Sequence, residues 1–235
     1  MTVFTWSNCW ADIYASGNGR TLQAYLNDVL EPSISSLDDQ ITGWNNSSEP
    51  WAPFAKSDTE NLFRETMKAF CLAVQSLWER QIRDYLRNCA SELRPQEGFE
   101  IEAMSTRWHA VEKLFYTLRG ISISSFPSYD HIYTLHLLGN VCRHGEGPSA
   151  KKLWERRPDL WPMKRLPMPG EKPPVGPPSA IQMIVSPDHL REFVGAIIEF
   201  WNDANYIYLE SINRKEQTVI DELEKLRATR TWIPQ

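Results

Sequence analysis

Between Asn140 and Trp161 the chain reads NVCRHGEGPSAKKLWERRPDLW, and several residue types in and just before this stretch could do chemistry on a phosphate. His136, Asn140 and His144 follow one another at four-residue intervals, so on a helix they share a face, with Arg143 beside them. An imidazole titrates near neutral pH and can move a proton, while a guanidinium stabilises developing negative charge. Together with a carboxamide they could converge on a phosphate or a ribose. The same residues also have a structural use. A histidine in the last helical turn is favoured by the helix dipole and can cap a carbonyl, and Gly139 can let a neighbouring helix approach. The residues alone leave both uses open.

Metal chemistry has less support, because His136 and His144 stand two turns apart and no H-E-x-x-H or Cys–His cluster has ligand spacing. Phosphate loops, nucleophile elbows and dinucleotide fingerprints are absent as well, so neither a metal nor a cofactor is expected. Charge is more informative. Residues 143–172 hold eight Lys/Arg against four acids, a local +4 in a chain of net charge −5. Trp154 and Trp161 are interleaved with Lys151, Lys152, Arg156 and Arg157, a pattern suited to phosphate pairing and base stacking on a single strand. The alternative is that both tryptophans anchor the loop to the core. A second basic stripe, Arg80, Arg83, Arg87 and Arg94, reads as solvated surface, since Glu79–Arg83 and Arg80–Asp84 have the spacing of ion pairs.

These side chains need helices to position them. Ser57 and Glu60 form a capping box ahead of Phe63, Met67, Cys71, Val74, Trp78, Ile82, Tyr85 and Cys89, which predicts a long core helix ending near Arg94 and Pro95. Residues 100–118 predict a second helix with Ile101, Met104, Trp108, Val111, Phe115 and Leu118 inward and Gly120 just past its end. A third covers 129–143, with Gly145 suited to a left-handed turn, and Ser149 is placed to cap a short helix over 150–156. Eight of the sixteen prolines lie between Pro158 and Pro178, which predicts an extended, protease-sensitive surface excursion over 158–180. QMIV beyond it has the character of one very short strand. Ser186 and Pro187 then open an apolar helix, followed by a charged one reaching Arg230. Upstream, GWNNSSEPWAPF reads as a loop, and Pro32 should break or bend the helix carrying Leu22, Tyr25, Leu26, Val29 and Leu30. The expected fold is all-α, a helical bundle in a single domain.

At 42% apolar residues the 235-residue chain can build a sizeable core, and its acidic balance argues against a surface that tracks nucleic acid everywhere. Four scattered cysteines without C-x-x-C spacing fit reduced thiols. With no leader-like N-terminus and no membrane-length apolar run, the expectation is a soluble, cytoplasmic protein.

A helical bundle whose late helix ends in a polar residue, three further residues and His-Gly resembles the HEPN superfamily, small all-helical proteins frequent in bacterial toxin–antitoxin and anti-phage systems. Catalytic members are metal-independent ribonucleases with an arginine, a polar residue, a short spacer and a histidine, completed across a homodimer. On this chain the histidine falls on His144, the polar residue on Asn140 and the arginine position on Gly139, with Arg143 one turn on. The resemblance covers mainly residues 58–157. It implies His144 as acid–base group, Arg143 as charge stabiliser and Asn140 as orienting hydrogen bonder, acting on RNA through attack of the ribose 2′-hydroxyl. It also implies a homodimer and an antitoxin or defence-system partner. A non-catalytic module that binds a partner protein or nucleotide is the alternative, and Gly139 favours it.

Overall fold

A computed structural model describes residues 3–105, 107–162 and 177–234. Helices dominate: α1 (Trp10–Ala15), α2 (Asn18–Tyr25), α3 (Glu31–Asn45), α4 (Ala52–Leu93), α5 (Phe99–Ala103), α6 (Trp108–Arg119), α7 (Tyr129–His144), α8 (Pro148–Arg156), α9 (Pro187–Ser211) and α10 (Gln217–Thr229). The fold is all-α, and no strand occurs among the described residues. QMIV is a short 3-10 turn at Ala180–Gln182 followed by extended chain, with one backbone bond from Ile184 to Leu160 O (2.8 Å), so the expected strand is absent there.

Several boundaries differ from the pattern for physical reasons. α4 begins at Ala52, five residues before the serine taken as its cap, because Pro53 needs no amide partner in a first turn. Ser57 therefore lies inside the helix. Pro32 does not break its helix. Leu26–Leu30 form a π turn just before it, and the wider turn accommodates a residue that cannot donate. The helix expected over 100–118 is two helices, with Ile101 and Met104 exposed rather than inward. Trp108, Val111, Phe115 and Leu118 are buried as expected, and α6 ends at Gly120 with φ +73°. Gly145 likewise takes the left-handed turn after α7 (φ +70°). Ser149 is not a cap, since α8 starts at Pro148 behind Gly147. Ser186 is one: its Oγ accepts from His189 N (3.3 Å) while His189 Nδ1 accepts from Ser186 N (3.2 Å).

The chain divides into two compact units. The first comprises Met1–Gln23, Leu77–Asp130 and Gly195–Gln235. Its core is aromatic. Trp78 meets Phe200 and Trp201 edge-on at 4.8 and 5.7 Å between ring centroids, and Phe126 lies on Phe200 at 4.6 Å. Each such contact adds about 0.5–1.5 kcal/mol beyond area burial. Asp12 and Arg119 sit inside this unit as a buried ion pair, with Arg119 NH2 donating to both Asp12 oxygens at 2.8 and 3.0 Å. Tyr85 Oη and Cys9 N also donate to Asp12 (2.9 Å each), and the guanidinium lies 3.9 Å from the centre of the Trp6 ring. The free thiols of Cys9 and Cys89 lie 3.4 Å apart beside it.

The second unit comprises Ala24–Ser76 and His131–Val194. Met67, Cys71 and Val74 of α4, with Leu135, Leu138 and Val141 of α7, are buried in it. Both ends of the proline-rich segment are pinned. Trp161 is buried and donates from Nε1 to Ser179 O (3.0 Å), and Glu146 accepts from Ser179 Oγ and Ala180 N (2.9 and 2.8 Å). The protease-sensitive stretch expected between these ends lies mostly outside the described residues.

Candidate nucleic-acid interface

α7 brings its polar residues into a ladder inside the second unit. Arg143 donates from NH2 to Gln75 Oε1 and to Asn140 Oδ1, both at 3.1 Å. A guanidinium only donates, so the Asn140 oxygen must face it and the amide nitrogen must face His136, 3.2 Å from Nε2. In this arrangement His136 Nε2 is placed to accept from the Asn140 amide. The His136 ring stacks near Tyr133 (6.3 Å between centroids, 21° between planes), and the Arg156 guanidinium of α8 lies 5.2 Å from the Tyr133 ring centre. Positions 133, 136, 140 and 143 step by three and four, so one helix face carries them all.

Gly139 has a definite reason to be glycine. A Cβ there would fall 1.8 Å from Gln75 Oε1, and Gln75 is buried while it accepts from Arg143. The glycine thus admits a side chain of α4, the close approach anticipated from the sequence. The position at which the HEPN resemblance calls for an arginine is filled from across the unit by a glutamine.

The candidate residues divide into two groups. Asn140 and Arg143 are joined directly. His144 is exposed at the end of α7, and its side chain makes no hydrogen bond or ion pair among the described residues. Lys151, Lys152 and Arg156 are exposed on α8, whose Ala150 and Leu153 face inward. Arg157 belongs elsewhere. It is ion-paired with Asp159 (3.0 Å) and Glu192 (3.1 Å), and the Asp159 carboxylate hydrogen-bonded to it holds its guanidinium above the ordinary range. His189 and His131 join the same cluster through Asp159 (3.0 Å) and Glu192 (2.6 Å). Trp161 is a buried anchor, so base stacking could draw only on the half-buried Trp154. Lys164, Arg165, Glu171 and Lys172 of the basic segment fall outside the described residues. No group of three or more His, Cys, Asp or Glu among the described residues could hold a metal ion, and no helix there is long and apolar enough to cross a membrane.

The arginine stripe on α4 does more than face solvent. Arg80, Arg83 and Arg87 line a cleft of about 480 Å³ in the first unit, with Tyr14, Asn18, Asp84 and Met104 among the other walls. The expected Arg80–Asp84 pair is absent, because Asp84 pairs with Arg87 instead. The expected Glu79–Arg83 pair is present at 3.7 Å, and Arg94 pairs outside the cleft with Glu97. The stripe's spacing was visible in the sequence. Its facing wall was not, because α1 and α5 are too short to announce themselves by periodicity.

The chain matches no protein-family model, no curated protein and no solved structure.

Proposed function

We propose that this protein binds RNA through the face built by the end of α7 and by α8, and that it holds the strand without cutting it. The observation that carries the reading is the state of Arg143. One nitrogen is anchored by Gln75 and Asn140, while Nε and NH1 have no partner among the described residues. An arginine held this way is pre-oriented for a phosphate, and Lys151, Lys152 and Arg156 add exposed charge on the next helix. Cleavage asks for more. An acid–base imidazole must be oriented, and His144 has nothing to orient it; the position for a second arginine is Gly139.

A homodimer, and a partner from a bacterial toxin–antitoxin or defence module, belong to the same proposal. The exposed Val29, Trp51, Phe54 and Leu62 of the second unit support an interface. Light scattering at micromolar concentration tests the dimer, and a monomer would remove it.

The decisive measurement is binding of a labelled single-stranded RNA in EDTA across a salt series. Wild type should bind with a salt-dependent affinity and leave the RNA intact. Lys151→Glu with Lys152→Glu should weaken binding at least about tenfold and lower the salt slope by about two. An unchanged affinity would remove this face from the reading. Products with 2′,3′-cyclic phosphate ends that vanish in His144→Ala would instead establish the ribonuclease.

A further inference from the structure

We infer that the arginine-lined cleft of the first unit is a docking site for a short acidic, amphipathic peptide segment of a partner protein. Arg80, Arg83 and Arg87 recur at steps of three and four along α4, which spreads three guanidiniums over about 10 Å of one wall. Asp84 is the only carboxylate lining the cleft among the described residues, and it is taken by Arg87. Arg80 is exposed and has no acid or acceptor partner among the described residues. Arg83 NH1 is buried with no acceptor among the described residues, while NH2 of the same guanidinium lies 3.7 Å from Glu79. The cleft therefore offers an incoming anion the guanidinium of Arg80 and the unused NH1 of Arg83, whose other nitrogen is shared with Glu79.

The part of the lining contributed by α1 and by the end of α5 is largely apolar and open. Tyr14 on α1 is 75% exposed, and Met104 just after α5 is 72% exposed, although both line the cleft. Trp10 and Ile13 on α1, and Ile101 on α5, are exposed as well. Large side chains concentrated on two short helices beside a cleft mark an interaction surface, and a flexible thioether adapts to a peptide side chain. A ligand carrying carboxylates on one side and an apolar anchor on the other complements both walls. An acidic peptide has that chemistry: Asp or Glu against Arg80 and Arg83, and a Leu- or Phe-like side chain between Tyr14 and Met104. This site shares no residue with the proposed RNA face and does not rest on it.

The test pans a random dodecapeptide display library on the full chain, with parallel selection on Arg80→Gln/Arg83→Gln. Enriched peptides should combine two or more acids with an apolar residue, and the double variant should not enrich them. Synthesised and labelled, such a peptide should bind the double variant, and separately Met104→Ser, at least about tenfold more weakly in fluorescence polarisation. Its affinity should be unchanged in Lys151→Glu/Lys152→Glu. Arg80→Gln alone keeps the test alive if the half-buried Arg83 variant does not fold. Peptides without acids, or enrichment indifferent to Arg80 and Arg83, would overturn the proposal. So would single-stranded RNA binding lost in the arginine variants in the absence of any peptide ligand. A dimer that Met104→Ser converts to monomer would make a second copy of the chain the occupant and also overturn it.

Discussion

Each unit carries a polar network, and the two are built on opposite plans. In the first unit Asp12, Arg119 and Tyr85 are sealed away from water, and their bonds run chiefly to one another and to backbone. In the second unit Gln75, Arg143, Asn140 and His136 form a ladder buried at Gln75 and open to solvent at Arg143. A sealed network of charges fixes one arrangement of its helices, and even the donor it leaves unused, Arg119 Nε, is buried out of a ligand's reach. An open one keeps donors in reserve. Polar residues on an apolar helix thus do not by themselves mark a site; the sign is an anchored side chain whose unused hydrogen-bonding capacity faces solvent.

Breaking the sealed network should have the largest effect. Asp12→Ala leaves Arg119 charged, buried and without its carboxylate, which should cost about 3–5 kcal/mol in chemical denaturation. A loss below about 1 kcal/mol would mean that water reaches the guanidinium, and the contrast between the networks would fail.

A second buried charge in the first unit sharpens the contrast through pH. Burial pushes the Asp203 carboxyl up to about 6 against the pull of Arg230, and its Oδ2 has no partner among the described residues. Its ordinary value lies near 4, so between about pH 4 and 6 the folded state keeps a proton that the unfolded state releases. Asp203 therefore makes stability fall as pH rises through that window, by about 2–3 kcal/mol. Asp203→Asn should flatten the decline in a pH series of denaturation curves. An unchanged slope would show the carboxylate ionised and fully paired.

Gly139→Ala probes the open network from its buried end. The new methyl displaces Gln75, with an expected loss of about 1–3 kcal/mol. In a Gln75→Ala background the same change should cost clearly less, because the obstructing side chain is gone. Additive costs would show that Gly139 serves something other than the glutamine.

How much of this was legible in the sequence follows from the range of each signal. The cores of α4, α7 and α9 were, because Met67, Leu135 or Val194 repeat at helical spacing over several turns. So were Gly120 and Gly145, since left-handed turns ask for glycine. The ladder was visible as far as local spacing reaches, in His136, Asn140 and Arg143. Gln75 was not, because its partner is sixty-eight positions away and nothing local marks a glutamine in an apolar helix as an acceptor. The cleft stayed hidden for the same reason: Arg80 and Arg83 were plain, but Tyr14 and Met104 join them only through tertiary packing.

The smallest expected effect on stability belongs to the residue with the largest claim to chemistry. His144 is exposed, lies in the last turn of α7 and has no partner among the described residues. Its one structural asset is a place near the negative end of the helix dipole, which water and salt screen at an exposed site. His144→Ala should therefore change stability by less than about 0.5 kcal/mol. With so little at stake in the fold, any functional loss in this variant reports on function directly. RNA affinity should fall only slightly, because Arg143, Lys151 and Lys152 carry the formal charge. If the variant instead loses stability by about 1 kcal/mol or more, the histidine is a cap whose bond forms in solution, and the open end of the ladder is more closed than its geometry indicates. If stability holds while a cleavage activity disappears, the imidazole is a catalyst and the binding-only reading fails. Denaturation curves and an RNA assay on the same two preparations separate the three outcomes.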